Sequence, residues 1–254
     1  MQFMAPWVPS FRKAIQTHRE SHPFVAFSFA TVDSNNCPHV RTVIDRGFLF
    51  DDKKSNILTF TTDIRMDKLR DLSNNGKFEA VFWFEGTNEQ FRVSGEAKVL
   101  TQDNVETFSG SIGEYPLVSP GFLKSHSSGL DLSHFNQSQL SLASTATNSN
   151  HNRPSAEEWS QELQTKWGEL SSNLKSSFRK PQPGSTITAE KQKLLDSLSR
   201  GVDGSNEEDG RKNYGLVLML VDKCDYVNLS GPHHQRWLYE RNAEDQWDET
   251  ELCP

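Results

Sequence analysis

The chain has 254 residues with 34 acidic and 27 basic side chains, a net charge of −7 and a mean hydropathy of −0.67. This length suits one generous domain with part of the chain outside the core, and the acidic balance argues against nucleic acid or an anionic membrane as the main partner. Cys37, Cys224 and Cys253 are scattered and make no C-x-x-C, and no apolar run nears the ~18 residues of a spanning helix. A cytoplasmic, soluble protein with no metal and no membrane association is expected.

Ser10 ahead of Phe11, Ala14, Ile15 and His18 predicts a first helix with one apolar stripe. Phe24 to Val32 is aromatic and β-branched, breaks at Asp33-Ser34-Asn35-Asn36 and resumes at His39, the pattern of a hairpin whose second strand should end at Arg46-Gly47. Ile57 to Thr62 is another strand pattern, after which Asp63 is placed to cap a short helix over Ile64 to Leu72. Phe78 to Glu85 and Gln90 to Leu100 should pair across Gly86-Thr87-Asn88.

From Thr101 to Arg153 Ser, Asn, Thr, Gly and Gln dominate, most densely between Ser125 and Asn152, and most of this stretch reads as a mobile insertion, at about 119–153. Pro154 to Glu158 is a capping-box pattern. Trp159, Leu163, Trp167, Leu170, Leu174 and Phe178 then recur at helical spacing as far as Pro181-Gln182-Pro183-Gly184. A helix over Ala189 to Arg200 and an acidic loop over Gly201 to Lys212 lead to three closing strands, Tyr214 to Val221, Asp225 to Leu229 and Gln235 to Glu240, and a tail.

Hairpins first, helices in the middle and strands at the end predict a mainly β fold with helices (α+β). The last strands should complete the first set as a closed or nearly closed antiparallel barrel, all in one domain over 1–254. Tyr214 to Val221 is apolar on both parities and belongs deep inside.

Cations gather at strand ends and on the helix after a strand: Arg41 and Arg46 on one strand, then Arg65, Lys68 and Arg70. Guanidinium and ammonium groups neutralise a phosphate dianion while backbone N–H groups orient it, so these residues point to a phosphate-bearing ligand. His233, His234 and Cys224 lack metal-ligand spacing. No P-loop, dinucleotide glycine motif or nucleophile elbow is present.

Four segments in order, HVRTVIDRGF, LTFTTDIRMDKL, FWFEGTNEQFRVSG and the ending HHQRWLYERNAEDQWDETELCP, resemble the pyridoxamine 5'-phosphate oxidase-like flavoproteins. The resemblance is closer to that superfamily's separate FMN-binding group, which shares T-D-x-R-x-x-K, E-Q-F-R-x-x-G and W-x-x-L-S…F…P-x-P-G. It covers most of residues 5–100 and 155–254. It implies a split β-barrel that forms a homodimer and holds FMN at the subunit interface, acting on a small-molecule substrate as an oxidoreductase, or else binding flavin without turnover.

On that resemblance Arg41, the backbone of Thr42 and Val43, Thr62, Arg65 and Lys68 surround the FMN phosphate and ribityl chain. Gln90 reaches the ring from the other protomer, Arg92 shares its strand face, and Arg236 contacts the ring. His234 is the one catalytic candidate. There are departures. Met66 and Asp67 stand where the oxidases carry serine and arginine, and Pro232 replaces the arginine of their R-x-H motif. Arg46 falls at a substrate-binding lysine, and its odd spacing from Arg41 sends the two to opposite faces unless the strand is bulged near Gly47.

Overall fold

The structure is a computed structural model that describes residues 2–127, 152–200 and 207–254. The densest part of the expected mobile insertion and the start of the expected acidic loop therefore lie outside the described residues. Among the described residues eight strands are formed: β1 (Ala26–Val32), β2 (Pro38–Phe48), β3 (Ile57–Asp63), β4 (Lys77–Phe84), β5 (Glu89–Thr101), β6 (Tyr214–Asn228), β7 (Gln235–Arg241) and β8 (Trp247–Leu252). The helices are α1 (Val8–Arg19), α2 (Asp67–Asn74), α3 (Phe108–Ser111), α4 (Pro120–Ser127), α5 (Ala156–Gly168), α6 (Ser172–Ser177) and α7 (Ala189–Arg200).

The strands run antiparallel in the order β3-β2-β1-β4-β5-β6-β7-β8, and β3 also pairs with β6. Six strands therefore close into a barrel, and β7 and β8 extend it as a hairpin. The fork lies on β6. Its first half, from Tyr214 to Leu220, pairs with β3, its last six residues pair with β7, and β5 follows it throughout. At the fork the β5–β6 register slips between Ser94 and Gly95. A Cβ on Gly95 would overlap the Leu220 carbonyl oxygen, a backbone atom with nowhere to go. Gly95→Ala is expected to lower the unfolding free energy by more than about 3 kcal/mol, read by urea denaturation, whereas a loss under about 1 kcal/mol would show that the fork tolerates a side chain.

The alternation of β6 explains its apolar run. Val217, Met219 and Val221 enter the barrel core, while Tyr214, Leu216, Leu218 and Leu220 lie in a second core beneath α5. Inside the barrel aromatic rings dominate: Phe27 stacks on Phe82 at 4.2 Å between centroids, and Phe11 of α1 meets Phe82 and Phe91 edge-on at 4.9 and 5.2 Å. The apolar face of α1, Val8, Phe11 and Ala14, is fully buried there.

Several elements differ from expectation for physical reasons. α1 starts at Val8, with Pro9 in its first turn rather than Ser10 as its cap. The expected single helix from Trp159 to Phe178 is two, because the Ser171 hydroxyl accepts from Leu174 N–H and starts α6 afresh. Both helices pack on one core, so the apolar spacing runs through the break. The strands expected at Tyr214 and Asp225 are one, and the tail from Trp247 is the edge strand β8. Within the polar stretch after Thr101, Val105, Phe108, Ile112, Tyr115 and Leu117 are buried in the second core, and Ser119 is tied to Glu158 at 2.8 Å. That stretch is anchored as far as α4.

Candidate functional site

β2 meets β3 at only two registers, Asp45 with Phe60 and Phe48 with Leu58, both at one end. From Pro38 to Ile44 it pairs with β1 alone. Asp45 N–H donates to the Val25 carbonyl at 2.9 Å. Because backbone groups alternate along an antiparallel strand, Arg41 and Val43 share theirs with β1, and Val40 and Thr42 turn theirs to the open edge. The barrel wall is split there. A cavity of about 600 Å³ lies between Arg41, Thr42, Val43, Ile44 and Arg46 on one lip and Thr61, Thr62, Asp63, Met66 and Lys68 on the other. Its outer wall comes from α6, the loop through Pro181 and Pro183, and α7.

Gly47, at φ +81°, makes the bulge that shifts the β2–β3 register between Asp45 and Phe48. Arg46 consequently lines the same cavity as Arg41 despite their odd spacing. Its Nε is buried with no hydrogen-bond partner, as is the hydroxyl of Tyr214. Burial lowers the proton affinity of the Arg46 guanidinium, and Tyr214 is pushed above the ordinary tyrosine range for the same reason.

Lys68 is the least ordinary residue of the site. It is 5% exposed, its Nζ donates to the Thr62 hydroxyl at 3.0 Å, and it lies against the Met66 sulfur. Among the described residues no carboxylate lies within ion-pair distance of it. Burial first, then the Arg41 charge, pulls its ammonium down to about 8 against the weaker support of Asp63 and Asp67. Arg41 is held by Phe29 O at 3.2 Å, by Thr31 Oγ1 at 2.8 Å and by the buried Asp71 at 3.7 Å.

Arg65 lies elsewhere. Its guanidinium forks onto Asp63, Nε to Oδ1 at 2.9 Å and Nη2 to Oδ2 at 2.6 Å, and Nη2 also reaches Phe178 O at 3.2 Å. Asp63 accepts from Arg65 N–H as well and so does not cap α2, which begins at Asp67 with no side-chain cap. Asp67 is exposed and pairs with Arg70 at 3.2 Å.

Gln90 and Arg236 do not line this cavity in their own chain. Register sets them on either side of Val227, on one face of three adjacent strands. One pair further along, Arg92 and Arg236 converge on Asp225, Arg236 through Nε at 3.0 Å and Nη2 at 2.8 Å. Burial works against the Asp225 charge, yet the hydrogen bonds from the two arginines outweigh it and hold the carboxyl below its ordinary range. His234 sits in the exposed turn between β6 and β7.

The sequence marks Pro181-Gln182-Pro183-Gly184 as a helix stop and as part of a motif shared with the FMN-binding group but gives it no place at the site, and it gives no sign of Asp71, whose partners Thr31 and Arg41 are remote in sequence. Among the described residues no three metal-ligating side chains cluster, and no helix is long and apolar enough to cross a membrane.

The family model for the pyridoxamine 5'-phosphate oxidase FMN-binding domain matches residues 4–101. An uncharacterized protein of Saccharomyces cerevisiae is 35% identical over 295 aligned positions, covering 99% of both chains. The pyridoxine/pyridoxamine 5'-phosphate oxidase 2 of Arabidopsis thaliana is 31% identical over 101 residues, 40% of this chain and 50% of that one. Two solved structures share the fold. A pyridoxamine 5'-phosphate oxidase-related FMN-binding protein of Nostoc punctiforme has a TM-score of 0.66 at 22% identity, with both chains fully covered. PhzG of Burkholderia lata, solved with tetrahydrophenazine-1-carboxylic acid, has a TM-score of 0.61 at 15% identity, covering 99% of this chain and 93% of that one. With its closed six-stranded barrel, split wall and motif order, the chain belongs to the pyridoxamine 5'-phosphate oxidase-like FMN-binding family.

Proposed function

We propose that the chain binds FMN in the split between β2 and β3 and uses it as an oxidoreductase. The observation that carries this reading is Lys68, a buried ammonium with no carboxylate partner among the described residues, set beside Arg41 on the lip of a cavity large enough for part of a nucleotide. An unpaired buried cation is costly unless an anion joins it. The donor set fits a phosphate: Arg41, Lys68 and the Thr62 hydroxyl, with the open-edge backbone of Thr42. The Arg65 fork removes that residue from the set.

The second half of the site would come from a second copy. Gln90 and Arg236 share an outer sheet face, and Trp83, which pairs with Gln90, is 46% exposed in the same row. A homodimer that docks this face over the split would place Gln90 and Arg236 on the flavin ring while Arg41 and Lys68 hold the phosphate. The chemistry a bound flavin supplies is acceptance of a hydride from an amine or alcohol and its onward transfer. The chain's own part is to fix the anionic end, polarise the ring and keep water out. A cytoplasmic setting accords with three free cysteines.

Pro232 at the oxidases' arginine position favours a second reading, flavin binding without turnover, because proline offers no donor to a substrate phosphate. Anaerobic addition of pyridoxamine 5'-phosphate, pyridoxine 5'-phosphate and other amines and alcohols to flavin-loaded protein separates the two. Bleaching of the flavin band by one of them is the result expected of an oxidoreductase, and no bleaching by any leaves the binding reading.

A further inference from the structure

We propose that the segment from Phe178 to Leu195 is part of the ligand site itself, and that its Lys180 and Lys191 supply cationic charge to the ligand's anionic end from the wall opposite Arg41 and Lys68. The inference rests on the flavin reading and deepens it.

Both lysines line the cavity. Lys180 is exposed, and the Lys191 ammonium donates to the Thr186 carbonyl at 2.9 Å, which leaves its charge unneutralised. Among the described residues neither has a carboxylate within ion-pair distance. In a chain of net charge −7, the cavity is lined by Arg41, Arg46, Lys68, Lys180 and Lys191 against one carboxylate, Asp63, which Arg65 already engages. Such a local reversal of sign draws in an anion. It also replaces the positive charge missing where Asp67 stands.

The segment is fastened to the loop that carries the phosphate cradle. Phe178 O accepts from Arg65 Nη2 at 3.2 Å and from Asn213 Nδ2 at 2.8 Å. Gln182 Nε2 donates back to Arg65 O at 3.4 Å. Pro181 and Pro183 fix their φ angles, Gly184 turns the chain at φ +80°, and the Ser185 hydroxyl donates to Gln182 O at 2.7 Å. Arg65 is therefore a positioning residue: it spans Asp63 and Phe178 and sets the lysine-bearing wall in register with Lys68.

The test compares FMN with riboflavin, which lacks the phosphate, in fluorescence titrations of the full chain and of the Lys180→Ala/Lys191→Ala variant. Two solvent-facing cations should weaken FMN binding about tenfold and flatten its salt dependence while leaving riboflavin unchanged. Unchanged FMN affinity, or equal weakening of both ligands, would overturn the proposal, the latter by assigning the lysines to wall packing. Wild-type protein that binds neither flavin would instead overturn the reading beneath it. In limited proteolysis Arg65→Ala should expose residues 178–195 to cleavage, and Arg65→Lys, which cannot fork onto Asp63, should not restore protection. Protection equal to wild type in Arg65→Ala would remove the clamp.

Discussion

Lys68→Met is expected to stabilise the ligand-free protein while weakening its hold on a phosphate. The ammonium is buried at 5% exposure and pulled down to about 8, so the folded chain binds this proton less tightly than the unfolded chain does. Each tenfold change in proton affinity is worth about 1.4 kcal/mol, which puts the penalty near 3 kcal/mol at pH 7. The sign follows from linkage. The unfolded state carries more protons between the depressed folded value and the ordinary lysine value, so wild-type stability should rise as pH climbs from about 8 towards 10.5. Methionine fills similar space without the charge. Urea unfolding of Lys68→Met at pH 7 should show a gain of up to about 3 kcal/mol that vanishes above pH 10.5. A loss of stability at pH 7 would mean that the ammonium is already paired.

Asp45 gives the second large effect, with the opposite sign. Its side chain lies under α1 at the β2 bulge, 4% exposed, with Oδ1 accepting from Gly47 N–H at 3.2 Å and Oδ2 without a partner. Burial raises its carboxyl to about 6. The Gly47 N–H and the charges of Arg19 on α1, Lys166 on α5 and the adjacent Arg46 oppose that rise. Here the folded state holds the proton more tightly. Stability should therefore be greatest below the unfolded value and fall as pH rises through about 6, by about 3 kcal/mol in all. Asp45→Asn should remove that fall between pH 4 and 7. Parallel pH profiles for variant and wild type would show that the folded chain ionises Asp45 as readily as the unfolded chain does.

The fold was largely legible because period-2 patterns and a strand apolar on both faces have few other uses. What misled was polarity placed for a topological reason. Asp222 and Lys223 interrupt the apolar run of β6 where that strand leaves β3 for β7, so one strand read as two. Sparse apolar residues after Thr101 were masked by their polar neighbours, yet Phe108 meets Trp159 edge-on at 4.9 Å and anchors the stretch.

At the site, the cation pattern points to Arg41 and Lys68 and the family resemblance adds Thr42, Val43 and Thr62, and all five line one cavity. Arg65 was not legible in that way, because its choice between a ligand and Asp63, two residues earlier, depends on how the loop turns. The outer wall was hidden for another reason: its residues lie more than 100 positions after Lys68, and only the barrel brings them back. Gln90 and Arg236 share one outer sheet face and do not line the cavity of their own chain; the proposed homodimer would bring them to it.

FMN binding in the split between β2 and β3 is tested by the visible absorption spectrum of the protein after incubation with FMN and desalting, taken beside Arg41→Ala/Lys68→Ala. Loss of two charge-assisted contacts should weaken binding by about 10²- to 10⁴-fold. A retained flavin spectrum is expected in the wild type and none in the double variant. A colourless wild type, or a variant that keeps its flavin, would contradict the placement of the phosphate in the split between β2 and β3.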